Sequence, residues 1–135
     1  MTIVIDASVA VKWVLDETDS DAADALLDQP LIAPVIWLAE AANALWRSAR
    51  IGNITFEAAN ARLSELLNAP VAPVAIEPHI EQALDLAAQL GHPVYDCLYL
   101  AIAIQQKTHV ITADRRFAAL AEQPDLTDRV RLLGA

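Results

Sequence analysis

Apolar positions along this chain alternate between short β-type runs and longer stretches with helical spacing. Thr2 to Ile5 is a brief apolar run that ends at Asp6, and Ser8 stands where it caps a helix reaching Trp13 and Leu15. Asp19 to Leu27 has helical spacing, and Leu31 to Ala33 reads as a second strand. Pro34 then opens a long helix through VIWLAEAANALWRSARI, closed at Gly52. Thr55 caps a further helix, with Glu57 and Glu65 on its polar side, that stops before Pro70. Val74 to Ile76 reads as a third strand, Pro78 to Leu90 as a helix ended by Gly91, and Pro93 to Gln106 as the next. THVIT is a strand followed by a helix from Asp114 to Ala121, and Val130 to Leu133 is a last short strand. Strands alternating with helices of ten or more residues predict an α/β fold with a mostly parallel sheet. No repeat, low-complexity tract or linker interrupts the pattern, so one domain over residues 1–135 is expected.

Composition narrows the class. The chain is 56% hydrophobic and 20% charged, which suits a globular core. No apolar run reaches about 18 residues free of charge, so no membrane span is expected. MTIVIDASVAVKW meets an acid at Asp6 without a basic leader or cleavage site, so no secretory signal is expected either. Cys97 is the only cysteine; this excludes an internal disulfide and a cysteine-rich zinc site and fits a reducing cytoplasm. The net charge of −9 argues against broad nucleic-acid binding and suits a protein that takes up cations or a basic partner.

Parallel α/β sheets hold their sites beyond the carboxyl ends of the strands, and that rule selects among the acids. Asp6 directly follows the first strand, and Asp114 comes two residues after the strand ending at Thr112. Glu40 sits within the apolar helix VIWLAEAANAL, and Asp96 in the first turn of VYDCLYLAIAI. Others, such as Asp16, Glu17, Asp19, Asp21, Asp24 and Asp28, form a run that reads as solvated surface. Each selected acid has a plainer reading. Asp6 suits a turn, Asp96 and Asp114 suit helix caps, and Glu40 stands seven residues before Arg47, a possible ion-pair partner. Taken together, however, four acids at strand ends or on apolar helix faces need compensation, and basic residues are sparse around them in sequence. Converging carboxylates are satisfied by a hard divalent cation, Mg²⁺ or Mn²⁺. Asn43, three residues after Glu40, shares its helix face and can orient a carboxylate or a bound water, or bond within the core. Ser8 and Thr112 are hydroxyls beside the strand-end acids, either caps or donors to them.

The segments TIVIDASV, PVIWLAEAANAL, PVYDCLYLAIA and VITADRRF resemble, in order and spacing, the PIN-domain ribonucleases, and most of all the VapC-type toxins of bacterial toxin–antitoxin pairs. The resemblance runs from Ile3 to about Leu120, with Cys97 standing where the family favours a small residue such as Ala. It implies a three-layer α/β/α sandwich whose central sheet is mostly parallel. It also implies an acidic pocket in which Asp6, Glu40, Asp96 and Asp114 hold Mg²⁺ or Mn²⁺ for RNA hydrolysis by metal-activated water. The partners it implies are an RNA substrate, a second copy in a homodimer, and an antitoxin whose basic segment enters the pocket.

Setting the four acids aside leaves fourteen acids against nine bases, still acidic, so RNA contact is expected to be local. Lys12, Arg47, Arg50, Arg115 and Arg116 are the candidates. Trp13, Trp37 and Trp46 belong to the core or to a partner groove and dimer face, while His92 reads as a loop residue and His79 and His109 as surface or strand-end positions. Two other readings compete. A phosphatase or receiver domain also places an acid after the first strand, but Ser8 occupies the position of the phosphatase's second acid, and the receiver's paired acids and late Lys are missing. A PIN-like fold kept only as a binding partner, without catalysis, is the other.

Overall fold

The computed structural model describes residues 2–135. Five short strands form one sheet: β1 (Ile3–Ile5), β2 (Leu31–Pro34), β3 (Val71–Val74), β4 (Val110–Thr112) and β5 (Val130–Leu132). Their order is β3-β2-β1-β4-β5, and every pairing is parallel. β1 and β4 are buried along their full length, as continuous apolar strands covered on both faces must be. Helices on the two faces of the sheet complete a three-layer α/β/α sandwich. They are α1 (Ala7–Ala10), α2 (Ser20–Asp24), α3 (Trp37–Arg50), α4 (Phe56–Leu67), α5 (Ile80–Leu90), α6 (Val94–Gln105) and α7 (Arg115–Ala118).

Local chemistry accounts for some element ends. The Thr55 hydroxyl accepts the Ala58 N–H at 3.0 Å at the start of α4, a cap worth about 1 kcal/mol. Gly91 closes α5 with φ +61, a left-handed geometry that glycine enters without strain. In α3 the buried residues Trp37, Ala41, Leu45 and Ala49 recur every fourth position, a single stripe facing the core. α6 is different: every residue from Cys97 to Ala103 is buried, because it packs against β1, β2 and β4 and is itself covered by α5.

Several boundaries differ from the sequence expectation. Pro34 ends β2 instead of opening α3, which starts at Trp37. The third strand is Val71–Val74, not Val74 to Ile76; it lies at the sheet edge, where Pro73 removes no ladder hydrogen bond that the fold needs. The helices expected to follow Ser8, Asp19 and Asp114 are single α-turns that tighten into 3₁₀ turns over 11–13, 25–28 and 119–122. Among the described residues no helix is long and apolar enough to cross a membrane.

β1 is the middle strand, and the chain moves outward from it in one direction through β2 and β3 and in the other through β4 and β5. The crevice between β1 and β4 is therefore the point at which the strand order reverses, where doubly wound sheets take their ligands. Ile102 lies fully buried in α6. Ile102→Ala is expected to cost about 2–5 kcal/mol in urea unfolding; a loss below about 1 kcal/mol would mean that α6 is not the core helix described.

Candidate functional site

Asp6 directly follows β1 and Asp114 comes two residues after β4, so both acids stand at that reversal point. The β1–β4 register pairs Ile5 with Ile111, which brings Thr112 beside Asp6. Glu40 and Asp96 arrive from elsewhere, each in the first turn of its helix, α3 and α6. The four carboxylates line one cleft of about 490 Å³, together with Ser8 and Asn43. Segments more than a hundred residues apart are thus joined at a single opening. Asn43 stays exposed on its lip, and Arg47 lies one turn further along α3.

Each acid has one oxygen held by a hydrogen-bond donor. Asp6 Oδ2 accepts from the Thr112 hydroxyl at 2.6 Å and from the Ser8 hydroxyl at 2.8 Å. Those hydroxyls in turn accept backbone N–H groups, Thr112 from Asp114 and Ser8 from Ala113. Each hydroxyl hydrogen is committed to Asp6, so Ser8 and Thr112 tie the end of β1 to the end of β4. The expected helix cap at Ser8 is not formed: Asp6 occupies the cap position of α1, and Ser8 serves the carboxylate. Asp114 accepts the Arg116 N–H at 2.9 Å, so the plainer reading of Asp114 as a cap holds while the residue also faces the cleft.

Two donors were not foreseen. The Tyr99 hydroxyl donates to Glu40 Oε1 at 2.7 Å, across 59 residues. His92 Nε2 meets Asp96 Oδ2 at 2.6 Å. His92 does lie in a loop, between α5 and α6, but its side chain is buried and its ring packs 5.6 Å from that of Phe117. The spacing of His92 and Asp96, four apart, was the available signal. Tyr99 sits in an unbroken apolar run and carried none. His79, expected at the surface, is buried. Of the tryptophans, Trp37 is core, Trp13 is half-buried and donates to the Ala23 carbonyl, and only Trp46 is well exposed, with Arg50 over its ring.

The electrostatics follow from burial. Asp6 is pushed up to about 6, first by desolvation, against the pull of the Thr112 and Ser8 hydrogen bonds, with Asp96 and Asp114 adding repulsion. Glu40 is pushed up to about 7 by desolvation, opposed by the Tyr99 hydroxyl and reinforced by the charges of Asp6 and Asp96. Asp96 is also raised by burial, with His92 and the charge of Arg116 working against the shift. The sequence had offered Arg47 as a partner for Glu40, but among the described residues no Lys or Arg forms a salt bridge to any of the four. The four carboxylates are an all-oxygen donor set, which fits a hard divalent ion chemically. As the side chains stand, no three acidic, His or Cys groups among the described residues close on one point, so an ion would have to draw them together.

Comparison with known proteins agrees with this architecture. The PIN domain family matches residues 3–123, and the chain belongs to it. It is 32% identical over 125 residues to Ribonuclease VapC3 of Pyrobaculum aerophilum, spanning 87% of this chain and 93% of that one. It is also 32% identical over 80 residues to Exonuclease VapC9 of the same organism, a match that spans 59% of each chain. Among solved structures, PAE2754 of P. aerophilum superposes with a TM-score of 0.71 at 25% identity, covering 88% of this chain and 78% of the other. VapBC2 of Rickettsia felis, bound to a DNA fragment from its promoter, superposes at 0.65 with 15% identity and 98% coverage of both, a likeness of fold. Membership in the PIN family sets aside the phosphatase and receiver readings.

The raised acids make a thermodynamic prediction. Asp6 and Glu40 bind protons more tightly folded than unfolded, so their contribution to stability is lost as pH rises, from 3.8 to about 6 for Asp6 and from 4.5 to about 7 for Glu40. Metal-free protein is expected to lose thermal stability across that window, and Glu40→Gln to flatten the upper part of the slope. Melting curves with the same slope for parent and variant between pH of about 5 and about 7 would contradict the assignment.

Proposed function

We propose that this chain is a Mg²⁺- or Mn²⁺-dependent endoribonuclease that acts as the toxin of a toxin–antitoxin pair. The observation that supports it best is the meeting of Asp6, Glu40, Asp96 and Asp114 in one cleft at the strand-order reversal, with no salt bridge to a Lys or Arg among the described residues. Asp6 and Asp96 are the leading ligands, Asp114 completes the set, and Glu40 binds directly or through water. Bound there, the ion supplies an activated water and cancels charge on the phosphodiester.

The chain's own groups prepare the rest. Ser8 and Thr112 fix Asp6 Oδ2, and among the described residues no hydrogen bond reaches Oδ1, which is left for a ligand. Asn43 is placed to hold a water at the lip. Arg47 at the cleft, and Arg115 and Arg116 at the exposed start of α7, are positioned to meet flanking phosphates of RNA, which an acidic protein must engage locally. The relatives named as ribonuclease and exonuclease support the chemistry. An antitoxin with a basic segment suits the same cleft, since an Arg or Lys side chain would replace the ion among the carboxylates. A cytoplasmic homodimer is the working form proposed for the toxin.

With purified chain, structured RNA is expected to be cut in the presence of millimolar Mn²⁺ and spared with chelator. Asp96→Asn should lower the rate by at least about a hundredfold, since loss of a ligand exceeds the roughly 10–100-fold typical of groups that only support one. Its melting temperature should stay close to the parent's. Equal cleavage rates for variant and parent would remove Asp96 from the site.

A further inference from the structure

The Tyr99 ring is wholly buried in α6, yet it carries a hydroxyl that the surrounding apolar packing does not call for. Phenylalanine would fill the same space. A buried hydroxyl left without a partner is destabilising, so its presence at this depth depends on an acceptor. That acceptor is Glu40 Oε1 on α3, at 2.7 Å. Glu40 is otherwise a flexible side chain with several rotatable bonds on a half-exposed helix turn. Without a fixed neighbour it would have to lose that freedom on closing around a ligand. The tyrosine cannot swing away, because its ring is locked in the core. One oxygen of Glu40 is therefore held against a rigid wall, and Oε2 remains for the cleft.

The same pattern recurs around the site with different chemistry. Asp6 has one oxygen held by Ser8 and Thr112, and Asp96 has one held by His92. Tyr99 differs from these in its origin. Ser8, Thr112 and His92 reach acids on their own segment or on a neighbouring strand, whereas Tyr99 connects α6, which bears Asp96, to α3, which bears Glu40. Its position three residues beyond Asp96 lets one helix carry an acid and the anchor of another.

We infer that Tyr99 is a positioning residue for the divalent-cation site, acting through its hydroxyl on Glu40; the inference rests on the proposed metal-dependent reading of the cleft. Tyr99 does not touch the ion or the substrate. It sets where the Glu40 carboxylate waits and how far apart the acids on α3 and α6 are held.

The test is calorimetric titration of Mn²⁺ alone into the full chain, its Tyr99→Phe and Glu40→Gln variants, and the double variant, with melting curves for each. Tyr99→Phe is expected to bind Mn²⁺ about tenfold more weakly, the scale typical of a group that orients a ligand. Adding Tyr99→Phe to Glu40→Gln should cost less than Tyr99→Phe alone, because the amide still accepts from the hydroxyl but no longer offers a carboxylate to the ion. A loss that persists undiminished in the Glu40→Gln background would identify Tyr99 as core packing and overturn the inference. So would Tyr99→Phe binding as tightly as the parent. A parent that takes up no Mn²⁺ would overturn the metal reading itself, a different outcome from either of these.

Discussion

Negative charge gathered in a partly dry cleft is the constraint around which this molecule is arranged. Desolvation alone lifts Asp6, Glu40 and Asp96 above their ordinary range, and each is repelled further by its acidic neighbours. No salt bridge from Lys or Arg relieves them among the described residues. A fold optimised only for stability would place a basic side chain among these groups or replace them with apolar ones. At Asp6 and Glu40 the sandwich instead uses neutral donors, which restrain these carboxylates without cancelling their charge. Thr112, Ser8 and Tyr99 are hydroxyls, and each leaves its acid free to accept a cation on another oxygen.

The topology makes the gathering possible. With all strands parallel, every strand delivers its carboxyl end to one edge of the sheet, and the central pair β1 and β4 opens a crevice there. Asp6 and Asp114 need no further device than following those strands. Glu40 and Asp96 reach the same edge because α3 and α6 begin there, each with its acid in the first turn. Helix N-termini carry partial positive charge, which favours a nearby anion, so the backbone supplies part of the relief that side chains do not. The same orientation favours a phosphate approaching the cleft.

Much of this was legible in the sequence because it is local. Strand runs bounded by acids, Thr55 as a cap, Gly91 as a helix end, two carboxylates at strand ends and two on apolar helices all follow from neighbouring residues. The errors also have local causes. Pro34 suits the opening of a helix, but pairing of Pro34 with Val74 extends β2 through it and delays α3 to Trp37. Ser8 suits both a cap and a donor to its acid, and only the neighbouring strand end decides: the Ala113 N–H donates to its hydroxyl, which donates to Asp6. Tyr99 was invisible for the same reason. Its partner lies on another helix, and an aromatic in an apolar run says only that it is buried. His92 was nearly legible, four residues before Asp96, but the glycine and proline around it pointed to an ordinary loop.

We propose that burial and mutual repulsion keep these acids partly protonated until a divalent ion replaces the proton, a claim on which the rest depends. Its most direct measurement is the number of protons released when Mn²⁺ binds, from titrations at pH of about 6.5 in two buffers of different ionisation heat. With Asp6 near 6 and Glu40 near 7, release on the order of one proton per ion is predicted, falling as pH rises. Tight binding with no proton released at that pH would place the ion elsewhere and leave the cleft without the role assigned to it.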